Sequence, residues 1–203
     1  MVLLHALGKR GSDWAPVVDR FLESFQVVTL DLRGHGDSDR PHEYSFGVMC
    51  DDVIGVLDQL QLESVIVVGH SMGGAIAFLV AIDRPDLVKR LIVEDVSPPY
   101  ERDQPIPVRA PNTQALDFDF AVMQATVGEV NAGSPATWEG LASISAPTLL
   151  IGGGSDSHIP QYKLEEVALR IPCCDMVTIA VGHHVHAAEP EEFAETILDW
   201  LEA

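Results

Sequence analysis

The chain has 203 residues, 47% hydrophobic and 21% charged, a size and balance that suit one globular domain with a continuous core. Twelve Lys and Arg stand against thirty-one Asp and Glu, a formal net charge of -19 that repels phosphate backbones and anionic lipid surfaces, so nucleic acid and membranes are disfavoured as partners. The cysteines, Cys50, Cys173 and Cys174, give no disulfide framework, and no basic and apolar leader precedes the first strand, so a soluble, cytoplasmic protein is expected.

In chain order, short apolar runs alternate with amphipathic ones. VLL opens the chain, and a helix pattern over 13–23 follows, with Ser12 in place to cap it. QVVTLD at 26–31 is the second strand pattern, and Ser45 precedes a helix over 46–60. SVIVVG at 64–69 leads into a small-residue helix over 72–82, and RLIVED at 90–95 is a fourth strand. Residues 97–146 break the alternation: a proline-rich loop, then two short helical patterns in LDFDFAVMQATVGEV and TWEGLAS, expected to form a small cap inserted over the sheet. PTLLIG at 147–152, a helix over 161–171, DMVTIA at 175–180 and a helix over 190–201 complete the chain, the last helix opening on Pro190 with Glu191 and Glu192 in its first turn. Strands this apolar are covered on both faces, and the alternation predicts an α/β fold with a mostly parallel sheet of about six strands and right-handed crossovers, one domain over 1–203.

Gly69-His70-Ser71-Met72-Gly73 reads G-x-S-x-G, and it falls between a predicted strand and a predicted helix. A serine at such a turn takes a strained backbone, and side chains two residues to either side would collide, which accounts for the flanking glycines. A turn that merely caps a helix would need no partners, whereas a nucleophilic serine needs a base and an acid that holds the base. VGHHVHAAEPEEF, after the last strand, offers His183, His184 and His186, with His183 directly after the strand-ending Gly182, so His183 is the expected base. Three clustered histidines also suit a metal, but no Cys or carboxylate sits at matching spacing, and no metal or cofactor is expected. For the acid, Asp156 in the loop after PTLLIG is preferred on spacing, with Asp95 at the end of RLIVED as its rival.

GHSMGG, LLHALG, DLRGHGDSDRP, PTLLIGGGSD and GHHVHAAEPEEF stand in one order along nearly the whole chain, and together they resemble the α/β-hydrolase family in its esterase, perhydrolase and C–C hydrolase branch. That resemblance implies an oxyanion hole formed by the backbone N–H groups of Met72 and Leu7, with Ala6 at a position where the family usually has glycine. It also implies that His5, Arg33, His35 and Asp37 hold loops. The expected activity is cleavage of short-chain acyl esters through Ser71, His183 and Asp156. The alternatives are a C–C hydrolase or perhydrolase on the same triad, or a ligand-binding protein on a hydrolase scaffold. A serine at position 71 speaks against the aspartate nucleophile of dehalogenase and epoxide hydrolase chemistry.

Family members usually carry two strands ahead of the one bearing HALG, whereas here that strand begins at Val2. The expectation is therefore a truncated or naturally minimal form whose 26–31 strand is left at the sheet edge, open to a homodimer through that edge. Tyr100, Phe118, Phe120, Met123 and Trp138 are available to line an acyl pocket.

Overall fold

The computed structural model describes residues 1–109 and 116–203, so part of the 97–146 insertion lies outside the described residues. Its strands are β1 (Val2–Leu4), β2 (Val28–Leu30), β3 (Val65–His70), β4 (Val88–Glu94), β5 (Thr148–Gly152) and β6 (Cys174–Thr178). They form one parallel sheet in the order β2-β1-β3-β4-β5-β6, with β2 at the edge as the sequence led one to expect. The helices are α1 (Ala15–Leu22), α2 (Phe46–Gln59), α3 (Met72–Asp83), α4 (Phe120–Ala132), α5 (Pro135–Gly140), α6 (Gln161–Ala168), α7 (Val185–Ala188) and α8 (Pro190–Glu202).

Period-two alternation along the strands divides the core into two layers. Val2, Leu4, Val67, Leu91, Val93 and Leu150 face the layer filled by α2 and α3. Leu3, Val68, Ile92, Leu149 and Ile151 face the layer filled by Trp14, Val17 and Phe21 with Phe193, Ala194 and Ile197 of α8. On the same alternation His70 and Glu94, the last residues of their strands, point into this second layer, where both are fully buried.

Local chemistry explains several element ends. Ser45 caps α2 by accepting the Val48 N–H at 3.0 Å, as predicted. Ser12 does not cap α1: it lies inside a 3-10 turn over Gly11–Trp14, and α1 starts three residues later with a proline in its first turn. Pro190, Glu191 and Glu192 open α8 as expected. Glu191 also pairs with Arg20 of α1. In the insertion, α4 packs Val122 into the core, and the Thr126 hydroxyl lies 3.7 Å from Met72 Sδ, so this segment sits directly over the start of α3. Among the described residues no helix is long and apolar enough to cross a membrane.

Candidate active site

Ser71 joins β3 to α3 with φ 52° and ψ -115°, a conformation that a residue with a side chain adopts at a cost of about 1–3 kcal/mol. Its N–H donates to Glu94 O at 3.2 Å, and its own C=O accepts from Ala75 N–H at 3.0 Å, which pins the turn at both ends. The glycines are there because nothing else fits. A Cβ on Gly69 would stand 2.4 Å from Gly73 O, and one on Gly73 would stand 2.2 Å from Leu4 O. The Ser71 side chain makes no capping hydrogen bond, so the turn presents the hydroxyl instead of using it.

Leu7, Ser71 and Met72 line one cavity of about 190 Å³. Its remaining wall is mainly apolar, from Phe46, Val96, Pro98, Tyr100, Ile106 and Val130. The Met72 N–H is the first of α3 and has no partner within the helix. Among the described residues no protein acceptor takes the Leu7 N–H either. The HALG loop is held from behind. Fully buried His5 donates from Nδ1 to Ala6 O at 2.8 Å and accepts the Leu32 N–H at Nε2 at 2.9 Å, while Gly8 N–H donates to His35 Nε2 at 3.1 Å. Burial lowers the His5 pKa to about 4, so the ring is neutral.

Arg33, His35 and Asp37 hold loops, as the sequence suggested: Arg33 forks onto Asp52 at 2.5 and 2.6 Å, and Asp37 meets Arg10 at 2.9 Å. The residue sequence reading missed there is Asp31, which accepts Gly11 N–H at 2.7 Å and Asp37 N–H at 2.9 Å. Its carboxylate also accounts for Gly36, where a Cβ would fall 2.0 Å from Asp31 Oδ2. Of the aromatic candidates, Tyr100 lines the cavity, whereas Phe118 stacks on His35 with ring centroids 5.5 Å apart and covers Gly8. A larger cleft of about 830 Å³ runs along β2 and α2, away from Ser71.

His183 donates from Nδ1 to Asp95 Oδ2 at 2.8 Å, and its side chain remains 12% exposed. The expectation that Asp156 would reach this ring is not met. Gly153 and Gly154 take the chain into a short 3-10 turn over Gly154–Asp156 that leaves Asp156 exposed, with its side chain unbonded among the described residues. The loop supplies donors to Asp95 instead. Gly153 N–H donates to Oδ1 at 2.8 Å, Gln161 Nε2 donates to Oδ1 at 3.1 Å, and the Ser157 hydroxyl donates to Oδ2. Asp95 is fully buried and sits at φ 47°, just beyond β4, beside the end of β3 that carries Ser71. Burial pushes its pKa up, but His183, Ser157, Gly153 and Gln161 together outweigh this and hold it below the ordinary carboxylate range. With Nδ1 committed to Asp95, the other ring nitrogen of His183 makes no hydrogen bond among the described residues. His158 stands edge-on to the ring at 4.2 Å and belongs to the cavity wall.

A second set of polar groups lies under the same loop, on the far face of the sheet. His186 Nδ1 bonds Glu94 Oε2 at 2.7 Å, and the His186 N–H donates to Glu94 Oε1 at 3.0 Å. On its other side His186 Nε2 lies 3.4 Å from Asp13 Oδ2, beyond the length of a charge-assisted hydrogen bond. Trp14 covers the ring at 4.4 Å. Burial pushes the His186 pKa down, but Asp13 and Glu94 overcome it and raise it to about 9. His70 donates from Nε2 to the backbone carbonyl of His183 at 2.8 Å, which ties the residue before Ser71 to the His183 loop. Sequence spacing placed no carboxylate beside His186, and the expectation of no metal there rested on that. The fold brings Asp13 to it from the other end of the chain, and one ligand atom each of Asp13, His70 and His186 lies within 4.8 Å of the others.

The alpha/beta hydrolase fold family matches over residues 1–141. The chain is 29% identical to the sn-1-specific diacylglycerol lipase ABHD11 of Mus musculus over 219 residues, covering 87% of this chain and 71% of the lipase. In structure it is similar to a thermophilic esterase from Thermogutta terrifontis, with a TM-score of 0.83 at 25% identity, covering 99% of this chain and 88% of the esterase. It also shares its fold with the enol-lactonase from Burkholderia xenovorans LB400, with a TM-score of 0.88 at 21% identity over 100% of this chain and 90% of that one.

Proposed function

Because the chain belongs to the α/β-hydrolase fold family, we propose that it is a serine hydrolase of carboxylic esters, with Ser71 as nucleophile, His183 as base and Asp95 as the acid that orients the base. The observation that carries this reading is the 2.8 Å bond from His183 Nδ1 to a buried, four-times-bonded carboxylate at the strand end next to Ser71. His183 Nε2 takes the Ser71 proton as Oγ attacks the ester carbonyl. Asp95 stabilises the imidazolium that forms and keeps the proton-accepting nitrogen turned toward the serine. The N–H groups of Leu7 and Met72 hold the oxyanion, each donor worth about 10² to 10³ in rate. His183 then returns the proton to the departing alkoxide, and a water activated by the same ring hydrolyses the acyl-enzyme.

The small apolar cavity beside Ser71 favours short acyl chains. The lipase and esterase among the similar proteins support an ester as substrate. Release of nitrophenol from nitrophenyl acetate and butyrate tests the reading. Steady turnover that falls by on the order of 10⁴ or more in Ser71→Ala is expected. A folded wild-type protein that releases none contradicts the reading.

A further inference from the structure

We propose that Asp13, His70 and His186 form a binding site for a divalent metal of the zinc type, separate from the Ser71 cavity. Two fully buried ring nitrogens, His70 Nδ1 and His186 Nε2, have no hydrogen-bond partner, and both belong to the same cluster. A buried polar atom left unpaired costs about 1–3 kcal/mol, so two on residues clustered with one carboxylate call for an occupant. A proton on His186 does not meet this need. Its N–H would still find Asp13 at 3.4 Å, and it would leave His70 Nδ1 bare. A metal ion satisfies all three groups together.

The geometry suits a small borderline cation. Bonds of about 2.1 Å in a tetrahedron put neighbouring ligand atoms about 3.4 Å apart; His186 Nε2 and Asp13 Oδ2 already stand at 3.4 Å, and His70 lies with them inside 4.8 Å, to be drawn in by the bound ion. The outer atoms are arranged as metal-bound histidines require. Each ring bonds an acceptor through one nitrogen, His186 to Glu94 and His70 to the His183 carbonyl, which leaves the other nitrogen as the ligand, and on His186 the metal displaces the proton that Asp13 and Glu94 otherwise favour. Two imidazoles and one carboxylate favour zinc over magnesium or calcium, which prefer all-oxygen sites. Asp13 keeps 19% of its side chain exposed, giving an entry path and room for water as a fourth ligand. Lys9 pairs with the other carboxylate oxygen, Oδ1, and leaves Oδ2 free. Bound there, the ion would clamp the turn before α1 to the end of β3 and to the loop that carries His183. It takes no part in ester chemistry, so the site stands or falls independently of the proposed activity.

Chelator-treated protein titrated with Zn²⁺ by calorimetry, and with Co²⁺ by visible absorption, tests the proposal in the wild type, Asp13→Ala, His70→Gln and His158→Ala. One equivalent per chain with Kd at or below micromolar, a four-coordinate cobalt spectrum, and a rise in Tm that EDTA reverses are expected for the wild type and for His158→Ala. Asp13→Ala and His70→Gln should bind that equivalent at least about 100-fold more weakly. Asp13→Ala should stay folded and retain its ester turnover, so the loss cannot be put down to misfolding. The proposal is overturned if wild type and Asp13→Ala bind Zn²⁺ equally, if cobalt gives only a six-coordinate spectrum, or if His158→Ala is the variant that loses the equivalent. The first two results would leave only a proton on His186 between that ring and Asp13; the third would place the ion at the histidines of the Ser71 cavity.

Discussion

Glu94 and Asp95 are consecutive, both fully buried, and each holds a histidine of the same loop: Glu94 bonds His186 at 2.7 Å and Asp95 bonds His183 at 2.8 Å. They differ in what lies on the far side of the ring. The His183 ring is partly exposed, and on the proposed reading its second nitrogen serves Ser71, so a proton has somewhere to go. Beyond His186 there are a second carboxylate and the indole of Trp14, and the ring has no access to solvent. On the proposed reading a similar hydrogen bond serves acid–base chemistry in one place and cohesion in the other, and the backbone makes the choice. Strand alternation sends Glu94 down into the α1–α8 layer, and the next carboxylate, at the positive φ of Asp95, meets His183 and the 153–161 loop instead.

Exchanging the same substitution between the two rings probes that contrast most strongly. His183→Gln is expected to lower kcat by on the order of 10⁴ or more with little change in Tm. His186→Gln should do the reverse, lowering Tm while folded protein keeps most of its activity. Comparable losses of activity in both variants would erase the distinction. Glu94→Gln comes next: removing one partner of a buried, bonded pair costs about 3–5 kcal/mol, read as a shift in urea midpoint. A loss under about 1 kcal/mol would show that Glu94 is dispensable to the layer.

His5 extends the comparison to a buried imidazole with no carboxylate against it. Its folded pKa of about 4 lies below the ordinary value of 6.5, so between these limits the unfolded chain takes up the proton and the folded chain does not. The His5 contribution to stability is therefore complete above pH 6.5 and is lost as pH falls toward 4, on the order of 3 kcal/mol in all. Urea unfolding across that range should show a shallower pH slope in His5→Gln than in the wild type, and an unchanged slope would mean that the ring is not held neutral.

Much of this was legible in the sequence. The period-two strands, the strand–turn–helix setting of GHSMGG and the crowding that requires glycine at 69 and 73 are local properties, and they appear in the structure where the pattern put them. The partner of His183 was not legible in the same way. Asp95 and Asp156 both follow strands and both stand between Ser71 and His183, so chain order admits either. What separates them is the turn at Gly153 and Gly154, which exposes Asp156 and delivers a backbone N–H, the Ser157 hydroxyl and the Gln161 amide to Asp95. Asp13 escaped notice because its neighbours His70 and His186 come from strands and loops distant in sequence, although Glu94 directly after the apolar Leu91-Ile92-Val93 was a signal that the end of β4 buries something polar.

The most direct measurement compares kcat/KM on nitrophenyl butyrate for Asp95→Asn and Asp156→Asn, with circular dichroism to confirm that both are folded. If Asp95 orients His183, Asp95→Asn loses on the order of 10⁴ while Asp156→Asn stays within a few fold of wild type. A large loss in Asp156→Asn with Asp95→Asn nearly intact, or small and equal losses in both, would contradict it.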